Sequence, residues 1–72
     1  MLNIPKITVR LGTRPQPLRA GSTLAELVAM LGHAPNAVST AVNGAFLARS
    51  QRAGCVLREG DAVVLFQPIV GG

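Results

Sequence analysis

The sequence is poor in aromatic, acidic and sulfhydryl side chains. It has two phenylalanines, no tryptophan, no tyrosine and a single cysteine, Cys55. One cysteine excludes an internal disulfide framework, and together with one histidine, His33, it cannot assemble a metal site. With only Phe46 and Phe66 to stack on bases, the chain also lacks the aromatic platform that binds single-stranded nucleic acids.

Long hydrophobic runs are missing as well. No stretch approaches the roughly 18–20 apolar residues of a membrane span, and the first ten residues are too interrupted for a signal peptide. We therefore expect a cytoplasmic protein that does not bind membranes. The chain has 72 residues. A domain of this length buries only about 60% of its unfolded surface, which leaves little room for an enzyme cleft. The length favours a binding module or a substrate of larger enzymes.

The charge balance is basic, with seven Lys and Arg against three Asp and Glu, a net charge of +4. A basic balance can indicate a nucleic-acid partner, so a nucleic-acid-binding module stays an alternative. The positive residues are scattered along the sequence, however: Lys6, Arg10, Arg14, Arg19, Arg49, Arg52 and Arg58. This distribution favours attraction to an acidic protein partner. Glu59 and Asp61 lie in "REGD", where they are expected to shape a turn rather than to form a catalytic pair.

The segment "TLAELVAMLG" predicts an amphipathic helix. Thr23 and Glu26 have the spacing of a capping box, and Gly32 stands where a left-handed C-terminal cap belongs. Apolar residues recur at helical spacing and form one stripe: Leu24, Leu27, Val28 and Leu31. Such a stripe is typical of a helix that packs on a sheet.

Strand patterns surround this helix. The segment "KITVRL" alternates as a half-buried strand does, and a short second strand is expected around Gln16 to Arg19. Asn43-Gly44 predicts a tight hairpin. The segment "RSQRAGCVL" has no clear period and is expected to hold one short helical turn, and "AVVLFQ" is the final strand. The order β, β, α, β, β, β predicts an α+β fold of the β-grasp type, a mixed five-stranded sheet with one main helix across one face. The domain is expected to span 1–66, followed by a flexible C-terminal Gly-Gly tail, 67–72.

Several segments resemble the ubiquitin-like sulfur carriers of the ThiS/MoaD family, and most closely its ThiS-type members from thiamine biosynthesis. The resemblance covers nearly the whole chain. The segments that carry it are "VNG" (42–44), "ARSQ" (48–51), "LREGD" (57–61) and "VLFQPIVGG" (64–72). Within the family, the small subunit of molybdopterin synthase stays an alternative, and outside it a ubiquitin-like modifier that forms isopeptides.

The resemblance implies a carrier of sulfur with no catalytic residues of its own. A ThiF-type activating enzyme would adenylate Gly72, since an ionised carboxylate is a poor electrophile. A persulfide sulfur donor would then replace AMP, and the resulting thiocarboxylate would deliver sulfur to a ThiG-type thiazole synthase. The chain has no phosphate-cradling motif, so we expect ATP to be bound by the activating enzyme and no cofactor by this protein. Cys55 is expected to be a small apolar filler rather than a sulfur relay.

The resemblance also assigns roles to the end of the chain. Counted back from the glycines as in ubiquitin, Val63 and Leu65 lie under the helix, and Val64 and Phe66 lie on the other face. The tail can extend roughly 20 Å, and Gly71, which has no Cβ, fits a narrow channel. The residues expected to contact partners are Val64, Phe66, Pro68, Ile69 and Val70.

Overall fold

The computed structural model describes residues 5–67, which form one five-stranded mixed sheet with a helix on one face. The elements are β1 (Lys6–Leu11), β2 (Arg14–Arg19), α1 (Leu24–Met30), β3 (Ser39–Val42), β4 (Ala45–Leu47), a 3₁₀ helix (Arg49–Gly54) and β5 (Ala62–Phe66). The strand order is β2-β1-β5-β3-β4. β1 and β5 are adjacent and parallel, and the other pairs are antiparallel. The predicted β-grasp architecture is confirmed.

The second strand is longer than the sequence predicted. β2 begins at Arg14 and includes Pro15 and Pro17, because the turn is confined to Gly12 and Thr13. The prolines lie opposite Arg10 and Thr8. Both of those residues direct their N–H groups away from β2, to Asp61 O (2.8 Å) and Glu59 Oε1 (2.9 Å). Proline has no backbone N–H to donate. Because β2 is an edge strand and these positions face solvent, the sheet loses no hydrogen bond at Pro15 and Pro17.

The start and end of α1 are those that the sequence predicted. The Thr23 N–H donates to Glu26 Oε1 (2.8 Å), and the Glu26 N–H donates to Thr23 Oγ1 (3.2 Å). At the other end, Gly32 has a φ of +84°, and the His33 N–H donates to Val28 O (3.2 Å). This is the hydrogen bond of a Schellman cap. Within residues 5–67, no helix is long and apolar enough to cross a membrane.

The core lies between α1 and the sheet. Its buried members are Val9, Leu18, Leu24, Leu27, Leu57 and Val63. Leu57 comes from the segment "RSQRAGCVL", in which the apolar residues follow neither a helix nor a strand period. Two backbone hydrogen bonds hold this segment beside the start of α1, from Leu57 N to Ser22 O (2.8 Å) and from Leu24 N to Cys55 O (2.9 Å). The residues that follow the 3₁₀ helix are thus held by backbone hydrogen bonds and an isolated bridge between Val56 and Thr23, not by a further strand.

Arg52 is buried, which the sequence did not indicate. It is one of the seven scattered positive residues, but only 4% of its surface is exposed. Its guanidinium donates to Val38 O (2.6 Å), Pro35 O (2.8 Å) and Thr40 Oγ1 (3.1 Å). A buried guanidinium is tolerated when its donors are satisfied, and here it ties the loop before β3 to the 3₁₀ helix.

Candidate functional site

The last strand, β5, has one buried face and one exposed face. Val63 is fully buried, and Leu65 is half-buried against the core. Val64 and Phe66 point the other way, with exposed fractions of 39% and 47%. The predicted placement of these residues is therefore confirmed. We call the side of the sheet opposite α1 the open face.

The strand register extends the apolar surface of the open face beyond β5. Ala41 of β3 lies opposite Val64 on one side and opposite Phe46 of β4 on the other. Phe46 is 67% exposed, whereas Ala41, between its two larger neighbours, is only 8% exposed. Directly opposite side chains in a sheet are about 4.5–5.5 Å apart at Cβ, close enough to pack. We call Ala41, Phe46, Val64 and Phe66 together the apolar patch.

Phe46 was not among the residues that the sequence assigned to partner binding. Its strand is only three residues long, "AFL", so it has too few residues for alternation to show which side faces the helix. The signal was nevertheless present in the hairpin. A two-residue Asn43-Gly44 turn places Ala45 opposite Val42 and therefore Phe46 opposite Ala41. Phe46 thus shares the face of Ala41, away from the helix. Both turn residues have positive φ, 51° and 84°, as this type of turn requires.

The other half of the open face, on β1 and β2, is positively charged. Val9 is buried under the helix, so by alternation Lys6 and Arg10 face the opposite way. Lys6 is directly opposite Arg19 of β2, which places Arg19 on the same face. All three side chains are exposed. We call Lys6, Arg10 and Arg19 the cationic strip.

The remaining predicted site residues belong to the tail. Pro68, Ile69, Val70, Gly71 and Gly72 lie outside the described residues. Gln67 is exposed and follows directly after the end of β5. The chain therefore leaves the sheet next to Phe66, at the edge of the apolar patch.

Cys55 is half-buried and packs against the core. In residues 5–67 there is no group of three His, Cys, Asp or Glu side chains that could hold a metal ion. A cavity of about 90 Å³ lies between α1 and the 3₁₀ helix and is lined in part by His33 and Arg52. It is well below the roughly 300–1,000 Å³ of sites for organic ligands.

The acidic residues of "REGD" have structural roles, as the sequence predicted. Asp61 Oδ2 accepts the N–H of Arg58 (2.9 Å), and Glu59 Oε1 accepts the N–H of Thr8. These carboxylates fix the turn before β5 and its junction with β1. The open face of the sheet, next to the point where the chain leaves it, is thus the candidate site, and its chemistry suits protein binding.

Comparison with known proteins gives one family and several similar structures. The model of the ThiS family matches residues 8–72. The crystal structure of the thiamine biosynthesis protein ThiS from Geobacter metallireducens is similar with a TM-score of 0.74 and 23% identity, over 92% of this chain and 100% of that one. An NMR structure of a thiamine biosynthesis protein from the same organism has a TM-score of 0.68 and 25% identity, over 92% of this chain and 87% of that one. Ubiquitin from Caldiarchaeum subterraneum has a TM-score of 0.51 and 23% identity, over 97% of this chain and 100% of that one. No curated protein sequence matches the chain.

Proposed function

Because the chain belongs to the ThiS family, we propose that it is a sulfur carrier whose terminal Gly72 is adenylated and converted to a thiocarboxylate for thiazole formation in thiamine biosynthesis. The family match extends through Gly71 and Gly72. In this proposal the folded domain is the part that enzymes recognise, and 67–72 is the part on which they act.

One observation carries the proposal: the apolar patch lies beside the point where β5 leads into the tail. Phe66 ends β5 and is exposed, so an enzyme bound to the patch lies within reach of the residues that follow. Six residues span at most about 20 Å when fully extended. An active site at that distance from the docking surface could receive Gly72 while the domain stays outside.

The reaction needs two displacements and one reduction. A carboxylate oxygen of Gly72 attacks the α-phosphate of ATP, and pyrophosphate leaves. The terminal sulfur of a persulfide then attacks the acyl carbon and displaces AMP, which gives an acyl disulfide. A second thiol cleaves the S–S bond, is itself oxidised to a disulfide with the donor, and leaves the thiocarboxylate on Gly72. Each step uses groups of a partner, so this chain acts as a protein co-substrate.

The proposal assigns the chemistry to three partners. A ThiF-type activating enzyme binds ATP, a persulfide donor supplies sulfur, and a ThiG-type thiazole synthase receives it. Two features of the chain support this division. The domain is small, and the cavity described above is too small for a nucleotide.

Mass spectrometry of the intact protein tests the proposal. After incubation with ATP, the activating enzyme and a persulfide source, the mass should rise by the replacement of one oxygen by sulfur, located at Gly72. Cys55→Ser is the matched control and should gain sulfur as the wild type does. Sulfur located at Cys55, or a wild-type protein that supports no ATP–pyrophosphate exchange, would contradict the proposal.

A further inference from the structure

We infer that the activating enzyme presents carboxylates to the cationic strip, beside an apolar socket that receives the apolar patch. The inference rests on the proposed function and adds the chemistry of the partner's surface. It depends on how the open face is divided. One half, on β5, β3 and β4, is apolar apart from Ser39, which lies opposite Phe66. The other half, on β1 and β2, carries only positive charge among its ionisable side chains.

The cationic strip has an electrostatic cost within the free protein. Lys6 and Arg19 are directly opposite each other on neighbouring strands, and like charges in that arrangement destabilise a sheet. Arg10 lies on the same face, four residues along β1 from Lys6. A carboxylate of a partner placed over the strip would turn this repulsion into attraction.

In residues 5–67, the Asp and Glu carboxylates hydrogen-bond to groups other than the side chains of the strip. The chain has three Asp and Glu residues in total. Glu26 accepts the N–H of Thr23, and Glu59 accepts the N–H of Thr8. Asp61 accepts from the N–H of Arg58 and from the side chain of Asn43. In residues 5–67, no carboxylate accepts a hydrogen bond from a residue of the strip.

The combination of surfaces fits a protein partner better than a nucleic acid. Protein interfaces join an apolar, often aromatic core to a charged rim, and the rim charges mainly set specificity and the association rate. The patch supplies such a core through Phe46 and Phe66, and the strip lies beside it on the same sheet. Three cations would form few phosphate contacts, and the affinity of nucleic-acid binding depends on the number of such contacts.

Association rates of paired charge variants test the inference. Lys6→Gln/Arg19→Gln removes two charges from the strip. Arg14→Gln/Arg49→Gln removes two exposed charges elsewhere: Arg14 lies opposite Leu11, a helix-side residue of β1, and Arg49 lies in the 3₁₀ helix.

Against the activating enzyme of the source organism, the strip variant should associate about 10-fold more slowly at low salt. The control variant should stay within about 2-fold of the wild type, since its charges lie off the interface. The difference should vanish near 1 M salt, where the screening length is about 3 Å.

The possible outcomes separate the two proposals. The inference is overturned if both variants associate equally more slowly than the wild type, or if neither does. ATP–pyrophosphate exchange with the wild type would still support the proposed function. Slower association of the strip variant alone supports the inference, even if Gly72 is never adenylated. If the wild type does not bind the enzyme, the inference fails. It also fails if the wild type binds a labelled poly(U) probe through the strip more tightly than it binds the enzyme.

Discussion

Asn43 and Asp61 are eighteen positions apart in the sequence and are joined by a 3.0 Å hydrogen bond from Nδ2 of Asn43 to Oδ1 of Asp61. Asn43 makes two further contacts with the start of β5. Its Oδ1 accepts the Ala62 N–H (2.9 Å), and its own N–H donates to Ala62 O (2.7 Å). The β3–β4 turn is thereby fixed to β5, so one set of hydrogen bonds aligns the three strands that carry the apolar patch.

We expect Asp61→Ala to lower the free energy of unfolding by about 1–2 kcal/mol, because it removes acceptors for Asn43 and for the N–H of Arg58. Asn43→Gly keeps the positive φ of the turn and removes the side chain. In urea unfolding, the two changes together should cost less than the sum of the single changes, since they share one hydrogen bond. Strict additivity would contradict the coupling.

Substitutions on adjacent residues of β5 should separate binding from stability. Leu65→Ala removes a side chain that packs against the core, and we expect it to cost about 2 kcal/mol of stability, the lower end for buried leucines. Phe66→Ala should cost less stability but weaken binding to the activating enzyme more. Thermal unfolding and titration calorimetry on both variants measure this. A large loss of stability with intact binding for Phe66→Ala would show that the open face is not the docking surface.

Phe46→Ala should weaken binding as Phe66→Ala does, because both side chains belong to the same patch. Aromatic residues at the centre of an interface often contribute about 2 kcal/mol or more. Met30 is a suitable control, since it is also exposed but lies at the end of α1. Met30→Ala should leave the affinity unchanged. Equal effects of Phe46→Ala and Met30→Ala would limit the docking surface to β5.

Arg52→Gln should destabilise the domain by about 2–4 kcal/mol, because it leaves buried acceptors around Val38 and Thr40 without their donors. Arg52→Lys should recover little of this, since an ammonium cannot reproduce the geometry of a guanidinium. Arg49→Gln changes an exposed neighbour in the same 3₁₀ helix and should stay within about 0.5 kcal/mol. Thermal unfolding of the three variants tests this, and equal stability of all three would contradict a structural role for Arg52.

Gly71→Ala should affect activation far more than folding. The sequence predicts that Gly71 lies outside the folded domain, so one added methyl group should change stability by no more than about 0.5 kcal/mol. In a channel that admits only glycine, the same methyl group should sharply reduce ATP–pyrophosphate exchange. Deletion of Gly72 should abolish exchange and leave the melting temperature unchanged. Exchange at the wild-type rate with Gly71→Ala would rule out a narrow channel.

The features that the sequence predicted correctly depend on neighbours in the chain. The capping box of Thr23 and Glu26, the turn at Asn43-Gly44 and the alternation along β5 each involve residues a few positions apart. The faces of Val64 and Phe66 follow from that alternation once one face of the sheet is known to be covered. Local patterns thus identified part of the apolar patch.

The features that the sequence missed depend on contacts between distant segments. Arg52 is buried because carbonyl groups of the loop before β3 lie within its reach, and no pattern around position 52 shows this. The cationic strip likewise forms only when pairing of β1 with β2 brings Arg19 opposite Lys6, although the two are far apart in the sequence. Phe46 is an exception, because its pairing with Ala41 follows from the nearby Asn43-Gly44 turn.

The parallel pairing of β1 with β5 has a consequence for biosynthesis. The ribosome makes β1 first among the described strands and β5 last, yet the two are neighbours in the middle of the sheet. The sheet cannot close until the last strand has been made, so formation of the native sheet awaits the synthesis of β5. A chain that terminated early would lack its central strand and the residues after it together. Under the proposed function, an incomplete protein could therefore neither dock on the activating enzyme nor offer a terminus for sulfur transfer.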